Sequence, residues 1–217
     1  MDWVLDNRDY VTGLALDHLW LSLLPIVIGF AVAVPIGWVA HRRPRLRGLL
    51  LGGGSILYTI PSLPLFIILP SILGTGILDP FNVVVALSLY AIALMVRSAA
   101  EGFGSVSPAV LDAATASGYG PWRRAFTVEL PLAGPVLLAG LRVVTVSTVS
   151  LVSVGALIGV SSLGSLFTSG FRRDFDTEIL TGVVGIVLIA LVLDGLLVLA
   201  GRVLMPWAES PRTAGAR

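Results

Sequence analysis

Residues 19–40, LWLSLLPIVIGFAVAVPIGWVA, contain no charged side chain. A helix rises about 1.5 Å per residue, so roughly 20 apolar residues carry it across the hydrocarbon of a bilayer. There, every backbone N–H and C=O must be satisfied within the segment, which leaves the chain little choice but helix. The same character recurs downstream. Residues 49–78 are uncharged, residues 81–96 (FNVVVALSLYAIALMV) end at Arg97, and residues 132–160 and 179–201 supply two more long apolar runs. Hydrophobic residues make up 56% of the chain against 12% charged, and mean hydropathy is +0.95, outside the range of ordinary soluble domains.

The pattern predicts an all-α integral membrane protein with five spans. A sixth arises if 49–78, interrupted by Pro61, Pro64 and Pro70, crosses as two shorter pieces. Proline removes a backbone donor and clashes with the preceding turn, so this segment is not expected to be one straight helix. The expected layout is an extracytoplasmic segment over 1–18, a transmembrane domain over 19–205 containing a cytoplasmic loop at 100–131, and a cytoplasmic tail over 206–217. The N-terminus, MDWVLDNRDYVTGLALDHLW, lacks the basic start and small-residue cleavage site of a signal peptide, so the first run is expected to be retained.

Arginine placement orients the spans. With the N-terminus outside, Arg42, Arg43, Arg45, Arg47, Arg97, Arg123, Arg124, Arg202, Arg212 and Arg217 fall inside or at the inner boundary. Only Arg8, Arg172 and Arg173 fall outside, and Arg142 lies within a span. This is a positive-inside distribution, which predicts a cytoplasmic C-terminus and an N-terminus outside.

Several functions are disfavoured. Net charge is +1 and no stretch interleaves basic with aromatic residues, so nucleic acid is not an expected partner. There is no cysteine, and the two histidines, His18 and His41, sit at the ends of the first span, so neither a metal nor another cofactor is expected. An intramembrane hydrolase would need a nucleophile and base at membrane depth, and no G-x-S-x-G elbow is present. An ion-coupled transporter would use broken helices and a midplane acid, for which the proline-broken second segment and Asp194 give some support, but no half-to-half repeat is visible.

The loop between the third and fourth spans holds the most information. SPAVLDAATASG (107–118) reads as a short helix with Ser107 as cap, Pro108 in its first turn and Gly118 at its end. PWRRAFTVEL (121–130) reads as a second short helix stopped before Pro131. About thirty residues of capped helix are far more than a simple connection needs, and suit docking of a cytoplasmic partner. Asp112-Ala113-Ala114, then Gly118, then Val128, Leu130 and Pro131 follow the spacing E-A-A, three residues, G, nine residues, I, one residue, L-P. In this the chain resembles the permeases of bacterial ATP-binding-cassette importers, with Asp for Glu and Val for Ile.

The resemblance implies the type I importer permease fold, with a coupling helix that fits a groove on separate ATPase subunits. No Walker sequence occurs here, and in a chain without lysine none could. It further implies an extracytoplasmic substrate-binding protein and a second permease chain, either identical or a paralogue. YTIPSLPLFIILP (58–70), ALIGVSSLGSLFTSGF (156–171) and LVLDGLLVLAGR (191–202) resemble the branch that carries glycine betaine, choline and carnitine. Permeases for methionine and other amino acids share the coupling loop and are the alternative.

For the translocation path, Thr145, Ser147, Thr148, Ser150 and Ser153 recur at helical spacing, and are candidates for pore lining or for helix packing. Tyr58, Tyr90 and Trp38 offer aromatic faces of the kind that hold quaternary ammonium, or serve as interface anchors. Arg142 either snorkels to the inner headgroups or pairs with Asp194, which otherwise faces the cavity. Gly155 and Gly159 are expected to allow close helix packing.

Overall fold

The computed structural model describes residues 2–209. Its helices are α1 (Asp2–Asp6), α2 (Arg8–Arg42), α3 (Pro44–Thr59), α4 (Ser62–Leu73), α5 (Pro80–Gly104), α6 (Pro108–Ala116), α7 (Pro121–Arg124), α8 (Leu130–Val152), α9 (Gly164–Arg173) and α10 (Asp176–Leu204). A π-turn, Ala125–Glu129, joins α7 to α8, and 3₁₀ turns occupy Ser153–Ile158 and Pro206–Glu209. Of the tail expected over 206–217, the part from Ser210 onward, with Arg212 and Arg217, lies outside the described residues.

α2, α5, the α7–α8 rod and α10 are each long and apolar enough to cross a bilayer, and α3 with α4, bent by 101°, makes a fifth span if the pair is counted as one and a re-entrant loop if it is not. The bend sits at Ile60-Pro61, where a residue preceding proline is forced into extended backbone (φ −65°, ψ 125°). The carbonyl of Ile60, freed from the helix ladder, accepts the Tyr90 hydroxyl at 2.6 Å. The expectation of a broken second segment therefore holds, and the break is closed by a side chain from α5.

The first span begins earlier than its apolar core. α2 continues back to Arg8, so most of the segment expected as a separate extracytoplasmic piece over 1–18 is helix continuous with the span. At 35 residues it is about 52 Å long, well beyond the hydrocarbon thickness. Nothing between Arg8 and Trp20 breaks a helix: polar residues there lower hydropathy without removing a backbone donor.

α5 is the centre of the bundle. α2 lies against it through a small-residue stripe, Gly29, Ala33, Gly37 and Ala40, facing Ala91, Ala99 and Ala100. Between helices surrounded by lipid, close backbone approach and dispersion replace the hydrophobic drive, and small residues at four-residue spacing permit that approach. A Cβ at Gly37 would come within 2.8 Å of the Ala100 backbone nitrogen. The sequence reading assigned such a packing role to Gly155 and Gly159 instead. Gly155 is buried beside Val83, but Gly159 ends the 3₁₀ turn at φ +88°, so it is required for the left-handed turn and not for a helix face.

The bundle has an arginine-rich end, formed by the C-termini of α2, α5 and α10 and by α6 and α7, where Met205 packs on Gly134. At the opposite end Trp3 meets Phe175 edge-on, and Arg173 on α9 pairs with the fully buried Glu178. Between the two ends, Arg142 on α8 and Asp194 on α10 form a bidentate ion pair at 2.6 and 2.8 Å. Of the alternatives left open by the sequence, pairing is what the structure contains. The fork geometry satisfies both charges where water is scarce.

Candidate coupling site

α6 projects from the arginine-rich end with no buried residue. Pro108 starts it, but Ser107, expected to cap it, makes no side-chain capping bond. Its end is built as expected. Tyr119 N–H donates to Ala114 O and Gly118 N–H to Thr115 O, the paired bonds of a Schellman motif, with Gly118 at φ +82°. A non-glycine residue held there costs about 1–2 kcal/mol, yet a Cβ at Gly118 would meet nothing within 4 Å. Asp112, Ala113, Ala116, Ser117 and Gly118 are all exposed, and the small residues leave the helix surface low enough for another protein to approach its backbone.

The second loop helix does not stop before Pro131, as the sequence reading expected. After one turn of α7 the chain enters the π-turn, in which Leu130 N–H donates to Ala125 O, and continues as α8 through Pro131. The wider turn accommodates a proline at this point, because the carbonyls that a proline ring would crowd are redirected to partners one residue further on. The loop is consequently continuous, at its arginine-rich end, with a membrane-spanning rod. Val128, Leu130 and Pro131 are partly buried in its junction with the bundle, so the second half of the spaced motif packs inward while its first half faces out.

Glu129 holds the junction together. Although it is 3% exposed, its carboxylate accepts Arg42 Nη2 at 2.6 Å and Arg124 Nε at 2.9 Å on one oxygen, and Trp38 Nε1 at 2.9 Å on the other. Arg124 reaches on through Nη1 to Thr115 Oγ1 on α6 at 2.6 Å. The Arg42 guanidinium lies 4.4 Å from the Trp38 ring centroid, Trp122 stacks on Trp38 at 5.4 Å, and Arg123 covers the Tyr119 ring at 4.5 Å. A buried carboxylate costs several kcal/mol in lost hydration, which charge-assisted bonds from two guanidiniums and an indole offset.

Sequence reasoning missed Glu129, which occupies the unassigned position between Val128 and Leu130 of the motif. The signal was present: an acid in a run entering the membrane needs a cationic partner, and two arginines precede it by five and six residues. Trp38, read as a possible ligand aromatic, belongs to this junction and is remote from the two tyrosines.

The path candidates do not share one surface. Tyr58 and Tyr90 meet edge-on at 5.7 Å, with Tyr58 exposed and Tyr90 buried behind it. Thr145 and Thr148 are buried inside the chain, Thr145 donating to Leu141 O, while Ser150 is exposed. Asp194 is engaged by Arg142.

A bent second crossing, a long rod through the membrane and a projecting helix at its arginine-rich end define an importer permease of the type I fold. The inward-facing MetNI methionine transporter superposes with a TM-score of 0.75 at 20% identity, over 93% of this chain and 96% of that one. An amino acid transporter crystallised with histidines gives 0.73 at 19% identity, over 92% and 96%. At such identities the likeness shows the fold. Residues 25–209 match the binding-protein-dependent transport system inner membrane component family, and the chain belongs to that family. It is therefore a membrane-spanning importer subunit that works with a substrate-binding protein and with ATPase subunits on other chains.

Two full-length relatives are the osmoprotectant import permease protein OsmW of Salmonella typhimurium, 33% identical over 90% of this chain and 92% of that protein, and the choline transport system permease protein OpuBB of Bacillus subtilis, 31% identical over 88% and 86%. A third, the glycine betaine/carnitine/choline permease OpuCB of Bacillus subtilis, is 29% identical over 91% and 88%.

Proposed function

We propose that the chain translocates quaternary-ammonium osmoprotectants such as glycine betaine, choline and carnitine. The observation that carries this reading is the agreement in name of relatives aligned over nearly their whole length. In this reading the N-terminus lies outside, the arginine-rich end is cytoplasmic, and a second permease chain, the same or a paralogue, completes the path. Asp112, Ala113, Ala114 and Gly118 form the surface seated in the ATPase, and Val128, Leu130 and Pro131 fix that surface to the rod.

A loaded binding protein docks outside and two ATPase subunits close on ATP. The coupling helices carry that closure into the spans, which open outward, receive the substrate, and return inward on hydrolysis. On the path, Tyr58 is the aromatic face best placed to meet a quaternary ammonium, with Tyr90 bracing it and holding the α3–α4 break. Ser150 adds an exposed hydroxyl. Thr145 and Thr148 are buried inside the chain, and Asp194 becomes available to a substrate only if its pairing with Arg142 opens.

Reconstituted with its ATPase and binding protein, the transporter is expected to accumulate radiolabelled glycine betaine or choline in an ATP-dependent manner and to leave methionine outside. Methionine uptake without osmoprotectant uptake would overturn the substrate assignment and favour an amino acid importer.

A further inference from the structure

We infer that Glu129 is the positioning residue that locks the coupling helix to the first span, so that ATPase movement reaches α2 and the α7–α8 rod together. The inference rests on the coupling reading of α6 and adds a transmission joint to it. Three structural features carry it. First, α6 has no fully buried residue, and its apolar hold on the bundle is the partly buried Leu111. Second, among the described residues its side-chain hydrogen bond to another element is the one that Thr115 accepts from Arg124, which in turn donates to Glu129. Third, Glu129 simultaneously takes Arg42 and Trp38 from the end of α2, so a single buried carboxylate is shared by the coupling helix, the rod and the first span.

The π-turn places it there. Glu129 closes that turn, two residues before Pro131, where the wider register displaces the side chain from the face a regular α-helix would give it. Charge-assisted bonds from two guanidiniums to one oxygen and an indole bond to the other make the joint directional as well as strong, which a surface ion pair is not. Coupling requires an element whose equilibrium both sites bias, and a joint of this kind makes α6 and α2 one such element.

The absence of cysteine allows clean spin labelling at Ala109→Cys on α6 and Val32→Cys on α2. In the complete reconstituted transporter, Glu129→Ala is expected to broaden the distance distribution between these labels. It should also raise the ATP hydrolysed per substrate transported about tenfold, within the 5–150-fold range of ordinary coupling. Glu129→Asp should recover part of the ratio, since the charge remains and only reach is lost. If Glu129→Ala fails to assemble, Arg124→Ala carries the same expectation, because Glu129 keeps Arg42 and Trp38. An unchanged distance distribution and unchanged ratio in the assembled variant would overturn the joint. Failure of the coupling reading is distinct: unsubstituted protein labelled on α6 would then show no response to ATP.

Discussion

Gly118→Asp is expected to abolish ATP-driven uptake while leaving the amount of inserted protein unchanged. The Schellman turn holds Gly118 at φ +82°, and aspartate tolerates the left-handed region better than most residues, so the turn itself should survive. Among the described residues nothing lies within 4 Å of the added Cβ. The loss is therefore expected to come from obstruction of a docked partner and not from a clash of the new Cβ within the described chain. A loss of at least about tenfold, equivalent to about 1.4 kcal/mol of docking free energy, is the minimum consistent with a surface seated in a groove. Uptake at wild-type rate with normal expression would remove the assignment of α6. The measurement is uptake into reconstituted vesicles loaded with ATP, with the binding protein outside, normalised to permease content.

The second large effect is expected at Gly37. Valine there would collide with Ala99 and with the Ala100 backbone, and neither a methyl group fixed to the backbone nor a main-chain atom held within α5 can swing aside. Overpacking of this kind costs about 2–3 kcal/mol, and because α5 is the most buried span the damage should be global. Gly37→Ala should fall between valine and wild type. Gly53→Ala on the exposed side of α3, where an added Cβ meets nothing within 4 Å, should show no loss. The apparent melting midpoint of detergent-solubilised protein, read by size exclusion after heating, orders the three.

These two glycines show what the residues disclosed before any coordinates. Gly118 was legible because its surroundings are local: a capped helix, a breaker and a spaced motif lie within twenty residues. The spans were legible because hydropathy at helical rise has only one solution in lipid. Gly37 was not, because its role depends on which helix comes to lie beside it, and α5 is some fifty residues away. Gly159 was misread for the opposite reason, since four-residue spacing from Gly155 mimics a packing face although the chain has already left the α-helix.

Pro131 and Glu129 mark the same limit in the coupling loop. A proline preceded by a short helix normally ends it, and a π-turn that lets the rod continue leaves no composition signal. Glu129 stood in plain view as the acid after Arg123 and Arg124, but its partners Trp38 and Arg42 come from the far end of the first span. The path residues were least legible of all. Hydroxyl groups at helical spacing serve packing and pore alike, and Thr145 and Thr148 lie on the buried side of α8 while Ser150 does not.

The central claim is that α6 is the surface through which a separate ATPase moves this permease. The most direct measurement is site-directed cross-linking in the otherwise cysteine-free chain, with Ala113→Cys or Ser117→Cys on the exposed face of α6 and a short bifunctional reagent. The account predicts a cross-linked product between permease and ATPase subunit whose yield changes when ATP is added. Active transporter in which neither position cross-links to the ATPase, with or without nucleotide, would contradict it.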